Sequence, residues 1–223
     1  MATDIRMTSE PVAEGTVLRG ISWATYRKLR DNPENQHVRM AYLDGTLTLM
    51  SPQFLHDKSS RRLGLIVDMV TMALLIPAQG TATTTLRRKG PGARKGTGKE
   101  PDLGFYFRDN DVRMRNKEEI NLDVDPPPDL AIEVDHTGNS KRALKLYARL
   151  GVPEVWRYQP KTRTLWFGRL TDNAYDSIDR SLNLPRLTPP LVIEALEAAE
   201  RLGELEWKIW LLDWARNLPE TPE

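Results

Sequence analysis

Pro128-Asp129-Leu130-Ala131-Ile132-Glu133-Val134-Asp135 is the stretch that decides the fold. Side chains alternate along a strand, so Leu130, Ile132 and Val134 fall on one face and Ala131, Glu133 and Asp135 on the other. The apolar face marks a buried strand. Two carboxylates on the opposite face need compensation, because ionised acids beside a core are costly unless paired or metal-bound. Upstream, Glu100-Pro101-Asp102 opens a second apolar run, Leu103-Gly104-Phe105-Tyr106-Phe107. A third carboxylate thus stands at the start of another buried strand, and acids on neighbouring strands invite a divalent metal.

The remainder of the chain is ordinary in composition. Its 223 residues suit one domain with extensions and are enough to bury a substantial core. Lys+Arg number 32 against Asp+Glu 31, so net charge is silent about nucleic acid and only the distribution of cations matters. With no cysteine there is no disulfide framework, thiolate zinc site or cysteine nucleophile, and a cytoplasmic location is expected. The N-terminal residues lack the apolar core of a signal peptide, and no run approaches the roughly 18 apolar residues of a membrane span.

Residues 1 to about 20 show no clear period and read as a loose arm. Ser22 reads as an N-cap before a short helix carrying Trp23, Tyr26 and Leu29 at helical spacing. Val38 to Met50 brackets Asp44-Gly45, a pair suited to a type I′ hairpin turn. From about Phe54 the pattern turns helical, with Leu63, Ile66, Val67, Val70, Ala73 and Leu74 as its apolar stripe. Thr81 to Leu86 is β-branched and strand-like. The segment from Arg87 to Lys99 is rich in glycine and cations and reads as a mobile basic loop. After the strand at Leu103 comes a polar connector through Asp125. Lys141 to Leu150 forms a helix closed by Gly151, and Pro153 to Tyr158 with Thr164 to Leu170 form a hairpin. Asp172 to Pro190 reads as irregular. Two helices finish the chain, Leu191 to Leu202 and Glu204 to Asn217, the second with Trp207, Trp210, Leu211 and Trp214 at helical spacing. Such a stripe is more often packing, in a core or a subunit interface, than base stacking.

Several blocks together carry a resemblance: Tyr42-Leu43-Asp44-Gly45-Thr46-Leu47, Met50-Ser51-Pro52 with His56, Pro101-Asp102, Pro128 to Val134, and Tyr147-Ala148-Arg149-Leu150-Gly151-Val152-Pro153-Glu154-Val155-Trp156. Over roughly residues 20 to 170 the chain resembles the Uma-type family of putative restriction endonucleases. The resemblance implies an α/β, restriction-endonuclease-like fold of the PD-(D/E)XK superfamily: a mixed central sheet of four strands flanked by helices, here with a C-terminal helical extension. The expected division is an arm at 1–20, the nuclease-like domain at 21–170, and the extension packed on it at 171–223.

The same resemblance implies metal-dependent hydrolysis of phosphodiester bonds in DNA, with Mg²⁺ or Mn²⁺ as cofactor. By the superfamily motif Asp102 matches the metal-binding aspartate and Glu133 the acid of the (D/E)XK element. Mg²⁺ takes one or two carboxylates, with water and substrate phosphate completing its sphere. The motif lysine is expected two residues after the acid, where this chain has Asp135, an additional candidate ligand. Lys141 is the first candidate to supply the missing charge, Lys145 the second. His56 and Asp57 stand where the family commonly has His-Glu, so Asp57 is either a further ligand or a helix-start acid favoured by the dipole, and His56 either a proton shuttle or a bystander. Arg87, Arg88, Lys89, Arg94, Lys95 and Lys99 are candidate phosphate contacts, or else a solvated tether. The plainer alternative for the acids is pairing with Arg149 or Arg157. The rival functional readings are a catalytically inactive nuclease-fold protein that binds nucleic acid or a protein partner, and an assembly module whose tryptophan-lined helix builds a homo-oligomer, a dimer above all.

Overall fold

The computed structural model describes residues 15–50, 54–81, 84–135 and 140–220, with the backbone alone at 54–57, 140 and 141. Strand β1 is Gly15–Arg19, followed by helix α1, Trp23–Arg30. Ser22 caps α1 as expected: its hydroxyl accepts the Thr25 N–H at 3.0 Å. Strands β2 (Arg39–Leu43) and β3 (Thr46–Met50) form the hairpin around Asp44-Gly45. Both turn residues have positive φ, +43° and +94°, as a type I′ turn requires.

Helix α2 (Phe54–Ala73) leads to a short strand, β4 (Ala78–Gly80), then to β5 (Leu86–Lys89), β6 (Gly96–Lys99) and β7 (Leu103–Phe107). Helix α3 spans Arg108–Met114, inside what reads as a connector, and strand β8 is Leu130–Val134. Helix α4 (Ser140–Leu150) crosses to β9 (Glu154–Gln159), which pairs with β10 (Thr164–Thr171), and β10 with β11 (Ala174–Ile178). Helices α5 (Pro189–Arg201) and α6 (Glu204–Arg216) follow.

The strands make two sheets. One is five-stranded and antiparallel, in the order β1-β3-β2-β6-β5. The other has the order β11-β10-β9-β8-β7-β4 and is mixed, with β8 and β9 parallel. That parallel pair is the one joined through a helix, α4, since parallel neighbours need a crossover. The expected mixed sheet flanked by helices and the C-terminal helical pair are both present. The sheet is wider than four strands because β4 and β11 add an edge on either side.

The alternation along β8 holds. Leu130, Ile132 and Val134 join α2 residues Leu63, Ile66, Val67 and Val70, and α5 and α6 residues such as Leu196, Trp207 and Leu211, in the largest core cluster. On the opposite face Ala131 packs with Leu86, Tyr147, Leu150 and Val155. A third cluster, Ile21, Tyr26, Met40, Tyr42 and Leu47, lies between α1 and the five-stranded sheet. The tryptophan stripe divides: Trp207 is buried and donates Nε1–H to Ala195 O at 2.9 Å, while Trp210 and Trp214 are half-buried and stack at 5.9 Å.

Four local expectations need correction. The end of the arm is a strand, β1, whose Val17 is buried opposite Thr48. Strand β5 begins only at Leu86, so Thr81, Thr84 and Thr85 lie in a connection. Residues 174–178 are not irregular but pair with β10. The basic segment is not a mobile loop: it is the β5–β6 hairpin, with β6 buried along its whole length against β2. Its glycines are the reason. A Cβ on Gly98 would stand 2.2 Å from the Tyr26 hydroxyl oxygen, and one on Gly96 would stand 2.6 Å from the Trp23 ring. Helix α1 lays its rings where β6 has no side chains, so glycine here allows close approach rather than disorder.

Candidate active site

The register of β7 with β8 pairs Leu103 with Ile132 and Gly104 with Ala131. One step further the same register sets Asp102 opposite Glu133, and residues opposite each other in a ladder share a face. The Asp102 Oδ2 accepts the Val134 N–H at 2.8 Å, which fixes its carboxylate beside the strand end carrying Glu133. Asp102 is 4% exposed.

Both acids face the five-stranded sheet, which supplies their counter-charges. Arg39 on β2 ion-pairs with Asp102. Lys99, the last residue of β6, sends its ammonium to Glu133, 3.0 Å from Oε1 and 3.1 Å from Oε2, and donates also to Glu100 O at 3.0 Å. The Tyr147 hydroxyl donates to Glu133 Oε1 from α4, and Lys99 Nζ stands 5.8 Å from the centre of the Tyr147 ring. Glu100 adds a third buried carboxylate, held by Arg30 Nε at 2.9 Å.

Burial raises the pKa of Glu133; Lys99 works against the shift and the Asp102 charge adds to it. Burial likewise holds the Tyr147 phenol well above its usual range, with Glu133 adding to the rise, so Tyr147 is a donor to Glu133 and not a base. Glu100 is raised by burial too, offset by Arg30, Arg39 and Lys99. The cluster therefore consists of carboxylates that gain from positive charge.

Two carboxylates on one face, flanked by a lysine and an arginine, fit a magnesium-like ion, which takes one or two acids and fills its sphere with water and phosphate oxygen. Among the described residues no three His, Cys, Asp or Glu side chains gather as a metal site. Asp135 follows the end of β8, where its N–H donates to Tyr158 O at 2.8 Å. His56 and Asp57 lie in the first turn of α2 and Lys141 at the start of α4, with side chains outside the described residues. The two arginines weighed as partners serve elsewhere: Arg149 reaches Asp44 Oδ2 at 2.8 Å, and Arg157 lies 5.6 Å over the Trp166 ring.

The six basic candidates separate. Lys99 is buried in the site. Arg87 pairs with Asp31, and Arg88 donates to Leu122 O and Arg149 O, so both tie the fold together. Lys89, Arg94 and Lys95 are exposed. The role of Lys99 had one sequence signal: Gly96-Thr97-Gly98-Lys99 has period two, which puts the glycines on one face and Lys99 on the other.

The family model described as "Uma2: Putative restriction endonuclease" matches residues 23–201. The chain belongs to the Uma2 family. One solved structure, of "a putative nuclease belonging to DUF820" from Anabaena variabilis, is 17% identical and aligns over 87% of this chain and 99% of its own, at a TM-score of 0.48. No curated protein matches. The Uma2 match spans Asp102, Glu133, Lys99, Arg39 and Tyr147 alike, and no helix among the described residues is long and apolar enough to cross a membrane.

Proposed function

We propose that this Uma2 protein is a metal-dependent nuclease that hydrolyses phosphodiester bonds in DNA, with Asp102 and Glu133 as the ligands of Mg²⁺ or Mn²⁺. The observation that carries the reading is the pairing of these two acids at the adjoining ends of β7 and β8 with Lys99 held against Glu133. When bound, the ion supplies Lewis acidity at the phosphate and lowers the pKa of a water. The chain's own residues do the positioning. Tyr147 and Lys99 fix the Glu133 carboxylate from two sides, and Arg39 does so for Asp102. Lys99 takes the place of the lysine absent at position 135: its ammonium can orient a water and offset charge on the phosphoryl oxygens. Asp57, His56, Asp135 and Lys141 remain candidate auxiliaries of the same reading.

One observation favours the rival reading, a nuclease fold that binds without cutting. Arg39 and Lys99 already neutralise both acids within the chain, as structural ion pairs do. Cleavage of supercoiled plasmid and single-stranded DNA with Mg²⁺ or Mn²⁺ separates the two. The wild type should cut, and Asp102→Ala, Glu133→Ala and Lys99→Met should not. No cutting under any condition, or equal cutting by the variants, removes the nuclease assignment. Metal-independent retention of DNA that weakens with salt would then mark a binding module.

A further inference from the structure

The turns of two hairpins meet at Asp44. Its N–H donates to Gly96 O at 3.1 Å and its Oδ1 accepts the Gly96 N–H at 3.3 Å, so the β5–β6 turn is stapled to the β2–β3 turn. Helix α4 closes on the same point: Arg149 Nη1 lies 2.8 Å, and Lys95 Nζ 3.8 Å, from one oxygen, Asp44 Oδ2. Arg94 lies along the turn, its Cδ 3.7 Å from where a Cβ on Gly45 would stand, and its guanidinium has no hydrogen-bond or ion-pair partner among the described residues. Arg88 reaches α4 from β5, donating from Nη1 to Arg149 O at 3.2 Å and from Nε to Leu122 O at 3.3 Å, carbonyls that leave its charge uncancelled.

Four cations thus gather round one acid in a chain whose charges otherwise balance. The side chains of Lys95 and Arg149 are 57% and 56% exposed, and exposed ion pairs contribute only about 0–1 kcal/mol, so Asp44 does not keep them from another anion. The patch lies on the side of the sheet that carries the site. Arg88 pairs opposite Thr97, and Lys99 stands two residues beyond Thr97 along β6, so Arg88 and Lys99 share a face. Tyr147, which holds Glu133, precedes Arg149 by two residues on α4. From Lys95 to Lys99 is about 13 Å of extended chain, the rise of about four nucleotides along one DNA strand. A strand seated at Asp102 and Glu133 therefore reaches the patch within a few phosphates.

We infer that Arg94, Lys95 and Arg149, backed by Arg88, form the surface that binds the phosphate backbone of DNA alongside the Asp102–Glu133 site, and that Asp44 tempers its affinity. The inference rests on the nuclease reading for its choice of DNA, but its test needs no cleavage. A fluorescein-labelled duplex oligonucleotide is titrated with full-length protein in EDTA over a range of NaCl concentrations. Arg94→Gln should weaken binding about eightfold at 0.1 M salt and reduce the slope of log K against log[salt] by about one, the value for one lost phosphate contact. Arg94→Gln with Lys95→Gln should reduce the slope by about two. Asp44→Asn should tighten binding: asparagine suits the type I′ turn and keeps an oxygen for the Gly96 N–H, but removes the charge on which Lys95 and Arg149 lean. A purely structural Asp44 would give no such gain. Arg201→Gln should match wild type, because α5 packs on the face of β8 away from Glu133. Arg94 and Lys95 are exposed, so their variants read binding without disturbing the core. Wild-type slopes in these variants, a folded Asp44→Asn that binds no tighter, or no DNA binding by the wild type overturns the inference. Binding with the expected slopes but no cleavage with metal upholds it and removes the nuclease reading alone.

Discussion

The ammonium of Lys99 bridges both oxygens of Glu133, at 3.0 and 3.1 Å, and joins a strand of one sheet to a strand of the other. The lysine side chain is 7% exposed and the glutamate 14%. Removing one partner of such a pair leaves the other charge poorly solvated and costs about 3–5 kcal/mol. Lys99→Met should show this loss by urea unfolding at pH 8 and a smaller one at pH 5, because a protonated Glu133 needs no counter-charge. Adding Glu133→Gln should recover most of it. Equal losses at both pH values would contradict the pairing.

The raised pKa of Glu133 sets the acid limb of any activity. Its folded value lies above the ordinary 4.5, so the proton is held into a range where a free glutamate has lost it. The stability linked to that proton is present below the shifted value and is lost as pH rises through it. Metal-supported cleavage has the opposite sign, because only the ionised carboxylate is a ligand. The rate at subsaturating Mg²⁺ should therefore rise through a midpoint above 4.5, and more Mg²⁺, which competes with the proton for the carboxylate, should lower that midpoint. A midpoint at or below that value counts against Glu133 as the ligand.

Gly98 and Tyr26 leave no room for a side chain between them. Gly98→Ala should destabilise by about 1–3 kcal/mol or more, since the added Cβ would fall 2.2 Å from the hydroxyl oxygen and 2.6 Å from the ring carbon that bears it. The same hydroxyl is buried without a hydrogen-bond partner among the described residues. Tyr26→Phe should consequently be neutral or stabilise by about 1 kcal/mol. Chemical denaturation of the two variants checks both; a clearly destabilised Tyr26→Phe would mean the hydroxyl has a partner in solution.

Glu154 is fully buried on β9, and its carboxylate collects N–H groups. Oε1 accepts Trp156 Nε1–H at 2.6 Å, and Oε2 accepts Leu182 N–H at 3.1 Å, Asn183 N–H at 3.3 Å and Asn183 Nδ2–H at 3.1 Å. Glu154→Ala orphans the Trp156, Leu182 and Asn183 N–H donors and leaves Asn183 Nδ2 only Asp129 O, so a loss of about 3 kcal/mol or more is expected. Glu154→Gln keeps one carbonyl oxygen and should fall between. Near-wild-type unfolding midpoints for both would show that the segment following β11 holds itself in place.

Much of the fold was legible because it rests on short-range signals. Ser22 announced α1, Asp44-Gly45 announced the β2–β3 turn, and the alternation from Leu130 to Asp135 gave β8 its apolar face and its acid-bearing face. What escaped depended on partners distant in sequence. Gly96 and Gly98 look like loop residues until Trp23 and Tyr26 are set on them, and β1 and β11 are edge strands stabilised by neighbours more than by their own residues. The site was divided in the same way. Asp102 and Glu133 stand on apolar strands and were visible, whereas Arg39 and Lys99 come from the other sheet, which no local pattern ties to these acids.

Only residues 100–102 separate β6 in one sheet from β7 in the other, the shortest covalent link between them. Lys99 precedes that link and Asp102 ends it, and each makes its ion pair back across the gap. The two pairs act as clasps at the two ends of that link. Any movement that parts the sheets there must break both pairs, so the charge compensation of Asp102 and of Glu133 is tied to how closely the two sheets meet.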